Sequence, residues 1–140
     1  NVRPALMESP EKVLGRVEDI VALSDVVKER NEDVAWLYGD TPVEEAMRRW
    51  IKMGPGLVIV SRGPWGAYAL LSGDRDMMVV DPLNVAVADT VGAGDSLLAA
   101  SLHGLLEGWP AERTLRLATA VAAQAVFSML LIKLSQLIKL

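Results

Sequence analysis

Two spacings of apolar residues alternate along the chain: stripes recurring every three or four positions, and short unbroken runs. Val13, Val17, Ile20 and Val21 form the first stripe, which predicts a helix of about 13 residues. Ser9 stands at its N-cap and Pro10 at its first position, where the missing N–H is no loss. Asp25–Lys28 follows as a short buried strand, and a charged cluster of Lys28, Arg30, Glu32 and Asp33 leads into a helix over Asp33–Leu37. Thr41-Pro42-Val43-Glu44 predicts another helix start, with a threonine N-cap, proline at the first position and glutamate placed for a capping box. That helix runs to about Met53 with Ala46, Met47 and Trp50 inward, and Gly54-Pro55-Gly56 ends it.

Leu57–Ser61 is a continuous apolar run bounded by glycines, the pattern of a strand covered on both faces. Residues 62–66 turn the chain into Ala67–Leu71, giving a hairpin. Met77–Asp81 and Val85–Ala88 read as further strands. Leu97, Leu98, Leu102, Leu105 and Leu106 then mark a helix from Gly94 to Gly108. Pro110 opens a last helix through Leu115, Leu117, Ala118, Val121, Ala122 and Ala125, and no glycine or proline stops it before the end of the chain. Strands alternating with amphipathic helices predict an α/β fold, a three-layer sandwich with a mostly parallel sheet.

Composition narrows the class. At 140 residues, 51% hydrophobic and 23% charged, the chain can bury a real core. A net charge of −4 leaves no footprint for nucleic acid or an anionic membrane surface. There are no cysteines, so disulfides and thiolate chemistry are excluded, and a reducing cytoplasm is compatible. No apolar run reaches the roughly 18 residues of a membrane span. The one histidine, His103, lies in a helix without a metal-spaced partner and reads as structural.

The chemistry concentrates in Asp89-Thr90-Val91-Gly92-Ala93-Gly94-Asp95-Ser96, a glycine-rich turn opening a helix. Such a turn aims unpartnered backbone N–H groups outward at the positive end of the helix dipole, a ready anion site. Asp95 at its mouth is a poor choice for holding an anion alone. It suits a general base that takes a proton while the N–H groups of Gly92, Ala93 and Gly94 hold a transferred phosphoryl. On residue types alone, an ordinary loop-to-helix turn with Asp95 complementing the dipole is an equal reading.

The stretch Asp89–Ser96 closely resembles the second signature of the ribokinase-like carbohydrate kinases, which are ATP-dependent sugar kinases. Other segments fall in the family's order. Asn1-Val2-Arg3-Pro4 resembles the end of its D-x-N-x-R segment. Asp25-Val26-Val27-Lys28 with Asn31-Glu32-Asp33 resembles its K-x-[SN]-x-x-[DE] region. Val58–Ala67 resembles its V-T-x-G-x-x-G-A turn. The likeness covers residues 1–126 and is greatest to bacterial fructokinases. It implies ATP and Mg²⁺ as cofactors, with no direct protein ligand to the metal, and catalysis by Asp95. It places Ser61, Arg62, Gly63 and Gly66 against the nucleotide, Thr119 where an asparagine often stands beside the base, and Asp33 in the metal–phosphate network. Arg30 stands where a serine or asparagine is usual.

Beyond Val126 the likeness stops. Residues 127–140 read as an atypical apolar tail that continues the last helix and needs a cover, either its own domain or another copy, most simply in a homodimer or higher oligomer. Complete members are about twice as long, the absent part resembling the half that holds the sugar. The expected function is therefore the C-terminal, ATP-side portion of a fructokinase-like sugar kinase, inactive alone. The alternatives are a nucleotide- or phosphate-binding half without turnover, and a structural fragment that self-associates.

Overall fold

The computed structural model describes residues 2–83 and 90–138, with side chains as far as Ala125. The expected strand at Val85–Ala88, and Asp89 of the glycine-rich stretch, lie outside the described residues, as do the side chains of the tail. After a short 3-10 turn at Pro4–Leu6, the elements in chain order are α1 (Pro10–Ala22), β1 (Val26–Arg30), α2 (Asn31–Tyr38), α3 (Val43–Ile51) and β2 (Leu57–Ser61). A second 3-10 turn, Gly63–Trp65, leads to β3 (Ala67–Leu71) and β4 (Met78–Val80), then α4 (Ala93–Leu106) and α5 (Ala111–Ile138). The sheet order is β1-β2-β3-β4. β1 and β2 are parallel, joined through α2 and α3; β2 and β3 form the expected antiparallel hairpin.

The chain divides into two compact units: residues 1–63 with 67–79, and residues 64–66 with 80–140. In the first unit Val58, Ile59 and Val60 are fully buried, so both faces of β2 are covered. Val58, Val60 and Leu70 pack with Val21 of α1, Val34 and Leu37 of α2, and Ala46, Met47 and Trp50 of α3. Each such aliphatic side chain stabilises the fold by roughly 1.5–3 kcal/mol. Trp50 finds a partner for its indole N–H, which donates to the Tyr38 hydroxyl at 2.6 Å. Tyr38 in turn donates to Glu18 at 2.7 Å, and Arg49 pairs with the same carboxylate.

Local details differ from expectation. α1 turns Val13, Val17 and Val21 toward the core as expected, while Ile20 stays 66% exposed and Leu14 packs inward in its stead. Ser9 is the N-cap residue but makes no side-chain cap bond. α3 has Pro42, not Thr41, as its N-cap and no capping bond: Pro42 takes an extended ψ of 138°, so the helix begins one residue later. β1 runs on to Arg30, two residues past Lys28.

In the second unit α4 and α5 pack against each other. The inward face of α4 is Leu97, Ala100, Ser101 and Gly104, while Leu102 and Leu106 are exposed. Small residues win that face because α5 comes close: a Cβ on Gly104 would lie 2.5 Å from Thr114 Oγ1 and 2.7 Å from its Cγ2. Leu115 and Ala118 of α5 are buried as expected. α5 is one 28-residue helix, continuing without a break past Val126.

Candidate active site

Within the first unit, the carboxyl ends of β1 and β2 lie side by side, Arg30 paired with Ser61 in register. Ligands gather at such ends in open α/β sheets. The Ser61 hydroxyl donates to the Glu29 carbonyl at 3.3 Å, tying the two ends together. Asp33, one turn into α2, has a side chain only 3% exposed. Its two oxygens accept a forked pair of bonds from Arg30, Nε to Oδ2 and Nη2 to Oδ1, each 2.7 Å. Arg30 Nη2 also donates to the Val2 carbonyl at 3.3 Å.

Glu29 completes the cluster, with its carboxylate accepting the Arg30 backbone N–H at 3.2 Å. Burial, then a hydrogen bond with Asp33, raises the Glu29 carboxyl above its usual range. Burial pushes Asp33 up as well, but bonds from the Arg30 guanidinium and from Glu29 outweigh it and hold Asp33 below the usual carboxylate range. The two acids thus divide the work: Asp33 carries the charge and Glu29 keeps its proton longer. Residue types alone do not single out Glu29 and Arg30 as partners of Asp33. The legible signal is the i, i+3 spacing of Arg30 and Asp33 at the start of a helix.

Arg62 lies just past the end of β2. Its guanidinium stacks on the Tyr68 ring at 4.0 Å, Nη1 donates to the Tyr68 hydroxyl at 3.1 Å, and Nε is buried without a partner. Gly63 has a φ of +54° and open space above it.

The second unit holds the other candidates. Gly92 takes the left-handed conformation (φ 79°, ψ −9°) and caps α4, with nothing within 4 Å of where a Cβ would stand. A glycine is needed there for the backbone, and the space above it is open to a ligand. Asp95 lies in the first turn and is exposed. The amides differ from expectation in one respect. Ala93 N–H is spent on the Thr90 carbonyl at 3.2 Å, because the chain turns tightly into the helix there. Ser96 N–H returns to Gly92. This leaves Gly94 and Asp95, in the first helical turn, without an intrahelical acceptor for their N–H groups. The Asp95 amide is a donor that residue types alone do not single out.

Gly66 (φ +82°) serves a close backbone approach, since a Cβ would stand 2.0 Å from the Val80 carbonyl oxygen. Trp65 beside it is 70% exposed, a loop-surface residue. Thr119 is buried in α5, and its hydroxyl donates to the Leu115 carbonyl at 2.8 Å, leaving only its oxygen lone pairs for a base. His103 packs edge-on against Trp109 with ring centroids 5.4 Å apart, a structural role.

Asp33 does not fit a direct metal ligand, since both of its oxygens already face Arg30. Among the described residues no group of three or more His, Cys, Asp or Glu could hold a metal ion. Nor, among them, is any helix long and apolar enough to cross a membrane.

Residues 1–136 match the pfkB family carbohydrate kinases. The match continues past Val126, where the short motifs end. A fructokinase of Rhizobium leguminosarum bv. trifolii is 36% identical over 107 residues, covering 75% of this chain and 32% of the relative. The apo form of a putative ribokinase II from E. coli superposes with a TM-score of 0.77 at 28% identity, over 91% of this chain and 40% of that one. The same protein in complex with ATP and Mg²⁺ gives 0.73 at 26% identity, over 84% of this chain and 37% of that one. The chain spans about a third of the length of the curated relatives it matches. These likenesses show a partial ribokinase-like α/β fold, and the chain belongs to the pfkB family of carbohydrate kinases.

Proposed function

We propose that this chain is the ATP-side, C-terminal portion of an ATP-dependent sugar kinase of fructokinase type, inactive without a sugar-binding half. The observation that carries the reading is the start of α4: left-handed Gly92, first-turn N–H groups at Gly94 and Asp95 that have no intrahelical acceptor, and the exposed Asp95 residue within one turn. Family membership supports it. Asp95 takes the proton of the attacking sugar hydroxyl as the oxygen bonds to the γ-phosphorus and the bond to ADP breaks. Backbone N–H groups at Gly92, Gly94 and Asp95 hold the charge on the moving phosphoryl; Ala93 joins them only if its bond to Thr90 opens. Mg²⁺ bound with ATP would supply neutralisation of the phosphate charge. By the family's pattern, Ser61, Arg62 and Gly63 of the first unit and Gly66 and Thr119 of the second are nucleotide-binding residues, and Asp33 belongs to the metal–phosphate network. A sugar kinase without cysteines fits the cytoplasm.

The test is ATP titration of the chain by calorimetry, with fructose-dependent ADP release measured beside it. ATP should bind, and Gly94→Val should abolish binding by placing a branched side chain where phosphate must sit. Unchanged affinity in that variant would remove the loop from the site. In the full-length kinase Asp95→Asn should cut turnover by at least about a hundredfold, as loss of a general base does, with stability unchanged.

A second reading rests on α5, which continues as helix through 127–138, where the sequence is densely apolar. It makes the chain a self-associating half-fold that at most binds nucleotide or phosphate.

A further inference from the structure

We propose that Arg30 takes the place of a divalent cation at Asp33, so that this end of the site is neutralised from within and takes up no metal. The inference deepens the kinase reading and rests on it for its meaning, because an acid at this place in the family's pattern is otherwise tied to the metal–phosphate network.

Three observations carry it. First, the fork is complete: both Asp33 oxygens accept from Arg30 at 2.7 Å, in the short range of charge-assisted bonds. A divalent ion needs to come within about 2.0–2.6 Å of such an oxygen, and the guanidinium occupies that approach with a like charge. Second, the fork is braced. Arg30 Nη2 reaches the Val2 carbonyl, and the Arg30 backbone is held in β1 opposite Ser61. Swinging the side chain away would strand a carboxylate that is 3% exposed, a costly arrangement for a buried charge. Third, the neighbouring acid is Glu29, 9% exposed and hydrogen-bonded to Asp33, so it adds no second open carboxylate. The Arg30 side chain remains 49% exposed.

The experiment follows free Mn²⁺ by its paramagnetic resonance signal, without nucleotide, in the intact chain. The wild type and Asp33→Asn should leave the same free Mn²⁺. Arg30→Asn should bind Mn²⁺ at least about tenfold more tightly, since removing a like charge at hydrogen-bond distance frees the carboxylate, and Arg30→Asn with Asp33→Asn should lose that gain. Uptake by the wild type that Asp33→Asn abolishes would overturn the proposal, as would a folded Arg30→Asn protein with no gain. If Arg30→Asn fails to fold, the wild type against Asp33→Asn decides alone. ATP titration of the same samples keeps the kinase reading separate: a gain of Mn²⁺ without ATP binding would leave this inference standing and remove that one.

Discussion

At the scale of the residue, charge at the carboxyl end of β1 is set by which acid is hydrogen-bonded to what. Glu29 has its carboxyl raised by burial and by Asp33. A group with a raised folded-state pKa favours the folded state fully below its unfolded value. That contribution is lost as pH climbs through the folded value. Glu29 therefore costs stability from about pH 4.5 upward. Glu29→Gln carries no such charge. Its unfolding free energy relative to wild type, from urea titrations, should grow as pH rises above about 4.5. Asp33 runs the other way: held low by Arg30, it contributes above its usual pKa of 3.8 and loses that contribution as pH falls through its depressed value. A flat difference between Glu29→Gln and wild type over that window would mean that Glu29 is ionised in the fold as easily as outside it. The sequence shows Arg30 and Asp33 within a charged cluster and does not single out Glu29; the division of labour between the acids comes from burial, which spacing does not report.

At the scale of the element, the α4–α5 crossing rests on Gly104 and Thr114. Thr114 is fully buried and its hydroxyl has no hydrogen-bond partner. Such a hydroxyl is a liability that the close approach imposes. Thr114→Val, which replaces it by a methyl of the same shape, should be neutral or stabilising in thermal unfolding. Gly104→Ala should destabilise by about 1–3 kcal/mol, because overpacking a tight contact forces backbone or side chain to shift. An alanine tolerated without loss would show that the helices separate freely. The heptad-like leucines of α4 mislead in the opposite sense: Leu102 and Leu106 point outward. Apolarity alone could not say that the packed face would be the one with the small side chains.

At the scale of the whole molecule, residues 127–140 carry nine large apolar side chains out of fourteen, with charge only at Lys133 and Lys139. Left exposed on a monomer, side chains that apolar would exceed what soluble monomers usually tolerate. Full cover of such side chains is worth roughly 1.5–3 kcal/mol each, enough to drive association of two copies. Changing Leu130, Leu134 and Leu137 together to glutamate should convert an oligomer to a monomer in light scattering. An unchanged mass in a soluble, folded variant would remove the tail from any interface.

The sequence by itself determined the order of helices and strands, the hairpin after β2, the unbroken last helix and the family, because periodicity, turn glycines and a glycine–acid signature are local properties. It also placed a glycine-rich turn at the start of α4, since left-handed Gly92 before a helix is a local feature that needs no distant partner. Only the tertiary structure decided that Arg30 and Asp33 close into a fork, that burial raises the Glu29 carboxyl, and that Gly66 serves the Val80 backbone. It alone showed Ala93 spending its amide on Thr90. Those outcomes depend on distance, burial and competition among donors for acceptors, and these exist only once the chain has folded.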